Sequence, residues 1–499
     1  MPSLRTIRRI YSVFFMGLFL WLIYVADVGH VQGYRVQLFL EADPLTAIAA
    51  FFTSGTLYKG MAWALVILIP TLFFGRFFCS WMCPLGILNQ WLGHLFHGRR
   101  PAESLKANSY RPIFRLKYWL LVVLLVLSLA GALQIGLLDP IALVTRSFDL
   151  ALWPALQQWG VPLYPHPPVF QGGVGVALLF IAILLANRWF PRFWCRLVCP
   201  LGALLGVLAS RAPFRIRRNV DKCTDCQKCL HACQGACDPH AALRVSECHL
   251  CMNCIENCPE GALDYGIPQQ RTTIRQPLDV NRRRLLEGTV AAAALFPMAR
   301  SALSSQSTPQ PAVIRPPGSL PEREFLARCI KCAACMRICP TNVLQPALLE
   351  AGIEGIWTPV LIPRLGYCEH YCVLCGQVCP TGAIRAIPVA EKVGHPPHKE
   401  PVRLGTAFFD QGRCLPWAMQ TPCIVCEEVC PTSPKAIWYR KVEVTDRQGK
   451  TVTLKQPYVD PALCIGCGIC ENKCPVTDYA AIRVTSVGES RSRRNRMIL

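Results

Sequence analysis

The chain has 499 residues, is 52% hydrophobic, carries a formal net charge of +21 and contains 29 cysteines. Their regular C-x-x-C-x-x-C-x-x-x-C spacing argues against a disulfide scaffold, which would be a small, loop-rich chain with irregular spacing, and for thiolate ligands of iron–sulfur clusters. The positive charge does not call for nucleic acid, because Arg and Lys flank apolar segments on one side, as in a membrane protein.

Most long apolar runs precede residue 210. Four of them, roughly 10–28, 61–78, 118–138 and 169–187, are long enough to span, or nearly span, a hydrocarbon core of ~30 Å. Arg5, Arg8 and Arg9 precede the first; Arg99, Arg100, Arg111, Arg115 and Lys117 lie between the second and third; Arg188, Arg192, Arg196, Arg211, Arg215, Arg217 and Arg218 follow the fourth. The two opposite loops carry few Lys or Arg, so the N-terminus and the region after the fourth segment are expected in the cytoplasm.

This part repeats internally. The first half carries DPLTAIAAFFT from Asp43 and ends in GRFFCSWMCPLG; the second carries DPIALVTRSF from Asp139 and ends in PRFWCRLVCPLG. Each half crosses out and back, so a pseudo-two-fold axis along the membrane normal would gather Cys79, Cys83, Cys195 and Cys199 at the cytoplasmic ends of the returning helices. These four thiols have three readings: ligands of a cluster, a thiol/disulfide redox pair or part of a quinol-oxidising site, or small apolar packing residues. Asp43 and Asp139 are expected near the outer face. A carboxylate there could take a proton from quinol, although D-P before an apolar run favours a helix N-cap. His94 and His97 fall in a basic loop, where surface exposure is the expectation.

A cysteine-rich block follows, with Cys223, Cys226, Cys229 and Cys233, then Cys248, Cys251, Cys254 and Cys258. In such pairs the fourth cysteine ligates the other cluster. One [4Fe–4S] cluster would take Cys223, Cys226, Cys229 and Cys258; the other would take Cys248, Cys251 and Cys254 with Cys233, or with the extra Cys237. Next comes NRRRLLEGTVAAAALFPMARS at 281–301, which has the look of a twin-arginine export signal or of an amphipathic cytoplasmic linker, and then a Pro/Ser-rich stretch to about residue 322. A second block holds four sets: Cys329, Cys332, Cys335, Cys339; Cys368, Cys372, Cys375, Cys379; Cys414, Cys423, Cys426, Cys430; and Cys464, Cys467, Cys470, Cys474. A nested pairing, first with fourth and second with third, would give four clusters. Zinc, the rival occupant, would use two cysteine pairs without the regular fourth Cys-Pro. The tail SRSRRNRMIL reads as disordered.

Other cofactors find no support. There is no C-x-x-C-H for c-type haem, no paired histidines in the apolar segments for b-type haem, and no G-x-G-x-x-G for a dinucleotide. The expected architecture is multi-domain: an α-helical membrane domain of four transmembrane helices with an internal repeat, plus two α+β bacterial-ferredoxin-like domains. The expected boundaries are 1–218 for the membrane domain, 219–270 for a two-cluster ferredoxin, 281–322 for the leader-like segment and linker, 323–485 for a four-cluster ferredoxin, and 486–499 for the basic tail.

On these motifs, residues 1 to about 270 resemble the NapH-type membrane quinol dehydrogenase subunit, with its spans, two C-x-x-x-C-P motifs and a two-cluster ferredoxin. Residues 281 to about 485 resemble the NapG/MauM-type ferredoxin in the twin-arginine leader, the CPTGAI segment and the CL-x-W…C-x-x-C-x-x-x-CP stretch. The resemblance implies a fusion of the two in a bacterial inner membrane, with about six [4Fe–4S] clusters. It implies quinol from the quinone pool as donor, and a redox partner protein, a periplasmic reductase of the nitrate-reductase kind or a cytochrome c, as acceptor. The second ferredoxin domain is then expected in the periplasm and the first in the cytoplasm. The rivals are an accessory ferredoxin that assembles a respiratory metalloenzyme, and a redox sensor.

Overall fold

The computed structural model describes all residues except 1–2, 27–34, 57, 96–100, 159–167, 268–273, 276–281, 300–312, 399, 446–450, 493–494 and 496–499. His97, Arg99, Arg100 and most of the Pro/Ser-rich linker therefore lie outside the described residues, as do the side chains of His94 and Arg282. The chain forms two compact units, one of residues 1–152 and 173–298, the other of residues 153–172 and 299–499.

The first unit is helical with a small cysteine-rich sheet region. Its main helices are α1 Leu4–Val25, α2 Pro44–Ser54, α3 Leu65–Phe74, α4 Pro84–Leu95, α5 Leu116–Leu129, α6 Pro140–Ser147, α7 Gly173–Leu185, α8 Pro200–Ala209 and α9 Arg282–Ala299. Two helical stretches, Leu4–Val25 and Ser104–Leu129, are long and apolar enough to cross a membrane. The other two expected spans are shorter than the apolar runs suggested. Lys59–Phe74 and Gly173–Arg188 each reach about 24 Å at ~1.5 Å per residue. Lys59–Phe74 stops early because Gly75, with φ +83°, turns the chain out of α3 before the cysteine loop begins. Both short helices still expose apolar faces: Leu65, Val66, Ile69 and Phe73 on α3, and Val174, Leu178, Ile181 and Leu185 on α7.

Four of these helices, α2, α4, α6 and α8, start with proline, its fixed φ being suited to a first helical position. Asp43 caps α2 by accepting from Leu45 N, Asp139 caps α6 by accepting from Ile141 N and Ala142 N, and the Cys199 sulfur caps α8 by accepting from Gly202 N. The fourth, α4, begins after Cys83. Packing is reciprocal between the halves of the repeat: α2 lies against α8, and α6 against α4. Helix α9 runs beside α5, where a Cβ on Gly288 would lie 3.0 Å from Val122.

The first cysteine-rich block is closed by strands β1 Arg215–Arg218 and β2 Leu263–Gly266, antiparallel with Arg215 opposite Gly266. The ferredoxin region therefore starts before residue 219, and it shares one compact unit with the helices.

The second unit contains three antiparallel strand pairs: β3 Leu344–Pro346 with β4 Pro359–Leu361, β5 Thr406–Phe409 with β8 Ile482–Thr485, and the long hairpin β6 Ile437–Thr445 with β7 Thr451–Val459. Residues 153–172 belong to it. Asn342 Nδ2 and Gln345 Nε2 donate to the Val169 carbonyl at 2.8 and 3.1 Å, and the Arg337 guanidinium stacks 4.2 Å from the Trp153 ring centroid. Arg491, in the tail expected to be disordered, has fixed partners, while residues 493–494 and 496–499 lie outside the described residues. Arg491 donates to Glu322 and to Glu489, both at 2.6 Å, and Arg315 grips the other oxygen of Glu322, also at 2.6 Å. A carboxylate facing two guanidiniums holds Arg491 in place.

Candidate metal centres

All six ferredoxin-type sets share one local design. Each third cysteine sits in a four-residue helix: Lys228–His231, Asn253–Glu256, Ala334–Arg337, Leu374–Gln377, Val425–Glu428 and Ile469–Asn472. In the four compact loops the residues flanking the second cysteine are left-handed: Asp225 and Gln227, Leu250 and Met252, Lys331 and Ala333, Gly466 and Gly468. Such φ values cost energy in non-glycine residues and persist where the loop must wrap a compact object.

The cysteines then meet in crossed fours. Cys223, Cys226, Cys229 and Cys258 line one cavity. A second is lined by Cys248, Cys251 and Cys254 together with both Cys233 and Cys237. Cys233 and Cys237 lie 3.3 Å apart, and Cys233 Sγ accepts the Cys237 N–H at 3.4 Å, as Cys258 Sγ accepts the Ala262 N–H at 3.3 Å. Cys233 and Cys237 thus stand together at the place of a fourth ligand.

In the second block the pairing is between adjacent sets, which corrects the nested expectation. Cys414, Cys423 and Cys426 share a cavity with Cys474, and Cys464, Cys467 and Cys470 share one with Cys430. Cys379 lies within electrostatic reach of Cys329 and Cys335, and Cys339 within reach of Cys368 and Cys375. The reason is local: neighbouring sets fold back on one another before the chain can reach a distant one. The Cys368 N–H donates to the Cys467 carbonyl at 2.8 Å, joining the two pairs in the middle. Lys392 Nζ donates to Cys368 Sγ at 3.2 Å. Burial pushes free thiols up here, Cys329 and Cys414 to about 11 and Cys426 and Cys467 to about 12, so loading iron must displace their protons. Four convergent cysteines in an apolar cavity fit a [4Fe–4S] cubane.

The four C-x-x-x-C-P cysteines of the first unit are all buried, and Cys199 is within electrostatic reach of Cys79, Cys83 and Cys195. The two halves of the repeat interlock around them. Arg76 Nε donates to Cys79 Sγ at 3.2 Å and Arg76 Nη2 to the Cys195 carbonyl at 3.4 Å, while Arg192 Nη1 donates to the Cys79 carbonyl at 3.5 Å. Asn89 Nδ2 approaches Cys195 Sγ at 3.7 Å. Glycine is required beside them: a Cβ on Gly86 would strike the Cys79 carbonyl, and one on Gly202 would strike Arg76 Nη2. Arg192 holds a left-handed backbone, φ +56°, to reach its place.

The same guanidinium links this site to the first ferredoxin block. Arg76 Nη1 donates to the Ser246 carbonyl at 3.3 Å, and Trp81 Nε1, from the first cysteine loop, donates to the Leu250 carbonyl at 3.0 Å. Behind it lies a buried charge cluster that pattern reading missed. Lys117 pairs with Glu247, and Tyr118 donates to Glu247 Oε1 at 2.9 Å. His249 Nδ1 donates to the Glu247 carbonyl at 2.7 Å, and its Nε2 has no hydrogen-bond partner among the described residues. Burial, with Arg76, Arg192 and Lys117 nearby, holds this imidazole well below its ordinary value and therefore neutral. The signal available in the sequence was the arginine three residues before the first cysteine in both halves.

Asp43 and Asp139 are the N-caps that D-P favoured. They are also fully buried, and burial together with the nearby Asp139 charge pushes the Asp43 carboxyl well above its ordinary value. Asp139 lies close enough for its charge to bear on Cys83, so the pair stands near the four thiols rather than remote from them.

Comparison with known proteins agrees with this chemistry. Residues 56–103 and 171–220 match a 4Fe-4S binding domain family, and residues 457–476 match a second family of that description. The methylamine utilization ferredoxin-type protein MauM of Methylorubrum extorquens is 37% identical over 218 residues, 42% of this chain and 90% of that protein. The ferredoxin-type protein NapG of Escherichia coli is 34% identical over 210 residues, 41% of this chain and 84% of that protein. YccM of Escherichia coli, named for electron transport, is 30% identical over 248 residues, 47% of this chain, and the match spans 63% of YccM. No solved structure matches the chain. It is an iron–sulfur electron-transfer protein of the ferredoxin type. The chain belongs to the family of ferredoxin-type proteins represented by MauM and NapG.

Proposed function

We propose that the chain is membrane-bound, oxidises quinol, and delivers single electrons to a partner reductase or cytochrome c. When bound, [4Fe–4S] clusters supply one-electron carriers that can split the two electrons of a quinol. The observation that carries this reading is Arg76, which spans from the Cys79 thiol to the Ser246 carbonyl two residues before the ferredoxin ligand Cys248. That contact couples the apolar helical repeat to a ferredoxin set within one compact unit, as an entry point for electrons from a lipid-soluble donor requires.

The exposed apolar faces of α3 and α7 suit lipid, since they would be a liability in water. They support four spans, two of them short, with residues 1–270 acting as the NapH-like, quinol-facing half. Residues 153–172, in the loop expected on the side opposite the arginine-rich loops, are built into the second unit. This supports an outward-facing second ferredoxin domain, as the leader-like segment does. Two cysteine-lined cavities of the second unit, with the two groups that Cys379 and Cys339 complete, support four clusters there, two more lying in the first block. Oxidation of one quinol releases two electrons and two protons. The electrons go singly to the cysteine-held centres, and the protons go to water.

The test is direct. Full-length protein in anaerobic liposomes should lose its iron–sulfur absorbance near 400 nm within seconds of adding a menaquinol analogue. If dithionite reduces the protein but quinol never does, this reading is wrong.

A further inference from the structure

We propose that Lys392 tunes the centre held by Cys368, Cys372, Cys375 and Cys339: its ammonium raises the reduction potential there, so that an electron passing through the second unit rests at that centre. This rests on the iron–sulfur electron-transfer identity of the chain and is independent of quinol as the donor.

Lys392 lies in the short helix Val389–Val393 and is only 4% exposed. An ammonium has three protons to donate, and each finds an acceptor. Nζ donates to Cys368 Sγ at 3.2 Å, to the Glu369 carbonyl at 2.5 Å and to the Cys372 carbonyl at 2.6 Å. A neutral amine has two protons and a lone pair, and the lone pair would face one of these acceptors. The site is therefore built for the cation. No carboxylate pairs with Lys392 among the described residues; the adjacent Glu391 is taken by Arg385 at 2.9 Å. A buried charge needs a counter-charge, and the one anionic acceptor within reach is the thiolate of Cys368.

The loop is shaped for this contact. Cys368 and Cys372 are separated by three residues, where the compact sets have two. Its residues have none of the left-handed backbone seen around the second cysteine of those sets. The added residue gives the loop the slack to turn two carbonyls onto one ammonium. The lysine backbone is pinned as well: its N–H donates to the Pro388 carbonyl at 3.2 Å, and its carbonyl accepts from the Val402 N–H at 3.0 Å. Packing alone gives no reason to fix a lysine against a ligand sulfur.

The charge bears on Cys372 and Cys375 too, so it reaches three of the four ligands. Elsewhere in the unit, Cys379 Sγ and Cys474 Sγ each accept from a neutral amide, Ile384 N and Ala481 N, both at 3.4 Å. Taking up one electron adds one negative charge to the thiolate-held centre. A full positive charge hydrogen-bonded to a ligand sulfur, away from water, stabilises that reduced form more than a neutral amide does. The place matters, because the Cys368 N–H donates to the Cys467 carbonyl where the two pairs of sets join. An electron held there stands midway between the pairs.

The experiment is a redox titration of the full chain, purified anaerobically and followed by electron paramagnetic resonance, with dithionite as reductant. Lys392→Met should make one centre at least tenfold harder to reduce, a fall of about 59 mV for a one-electron couple, with iron content unchanged. Lys392→Arg keeps the charge and should hold that midpoint within half of this shift. Should the Met variant lose iron, Lys392→Gln, which keeps an amide donor but no charge, reads the same potential. In a chain already lacking this centre through Cys368→Ser with Cys372→Ser, Lys392→Met should move no midpoint. Unmoved midpoints in the iron-replete Met or Gln variant would overturn the proposal, as would a shift that persists when this centre is absent.

Discussion

Arg76 and Arg192 exchange places across the repeat: each arginine donates to the carbonyl of the cysteine belonging to the other half, Arg76 to Cys195 at 3.4 Å and Arg192 to Cys79 at 3.5 Å. The exchange is what a pseudo-two-fold axis produces when equivalent loops meet. It fixes the four thiols relative to one another, and it leaves little room around them.

That tightness can be measured at Gly202, whose absent side chain makes space for Arg76. Gly202→Ala should destabilise the protein by about 1–3 kcal/mol, since the buried guanidinium cannot withdraw without losing its partners. Gly175→Ala, where a Cβ would meet nothing within 4 Å, is the control and should change stability by less than about 0.5 kcal/mol. Thermal melting in detergent reads both.

The Lys117–Glu247 pair has side chains only 0% and 3% exposed. Lys117→Met should cost about 3–5 kcal/mol, because it strands a buried carboxylate beside Tyr118. Lys117→Met combined with Glu247→Gln should recover most of that loss. If the double variant melts no higher than the single one, the pair is not the source of the cost.

Cluster pairing in the second unit has its own test. Cys474 shares a cavity with Cys414, so Cys414→Ser with Cys474→Ser should remove one cluster, about four iron atoms. Cys464→Ser with Cys474→Ser strikes two cavities and should remove about eight. Under nested pairing both double variants would lose about eight. Iron analysis distinguishes the cases.

Glu322 gives a pH dependence. Burial would raise its pKa, but Arg315 and Arg491 outweigh that and hold the carboxyl down to about 2, against an ordinary value of 4.5. A depressed carboxylate stabilises the fold above its unfolded pKa and loses the effect as pH falls through its folded one. Wild type should therefore melt above Glu322→Gln by an amount equivalent to about 1–2 kcal/mol at pH 7, discounted for its partial exposure. The gap should close between about pH 4.5 and pH 2. A gap constant across that range would mean the ion pairs contribute nothing.

Much of the chemistry was legible because cluster ligation is local: a C-x-x-C-x-x-C loop positions three thiols by itself, and Gly466 and Gly468 even mark the left-handed turns around Cys467. The partner of each fourth cysteine was not, because it depends on which loops stack in space. The repeat was visible in the two C-x-x-x-C-P motifs, and the caps in the two D-P pairs. That Asp43 meets Asp139, or that Arg76 reaches Cys195, is a property of the axis and not of any window of sequence. Arg491 was not legible because the tail has the composition of a disordered segment, and composition does not show its acidic cradle of Glu322, far along the chain, and Glu489, close by.

The central claim is that electrons enter from quinol at the helical unit and leave from the second ferredoxin unit. Right-side-out membrane vesicles supplied with quinol and external cytochrome c test it most directly. Vesicles bearing the protein should reduce cytochrome c, and Cys79→Ser with Cys195→Ser should slow that at least tenfold while leaving the ferredoxin clusters assembled. Reduction no faster than in vesicles lacking the protein, or undiminished in the double variant, would contradict the account.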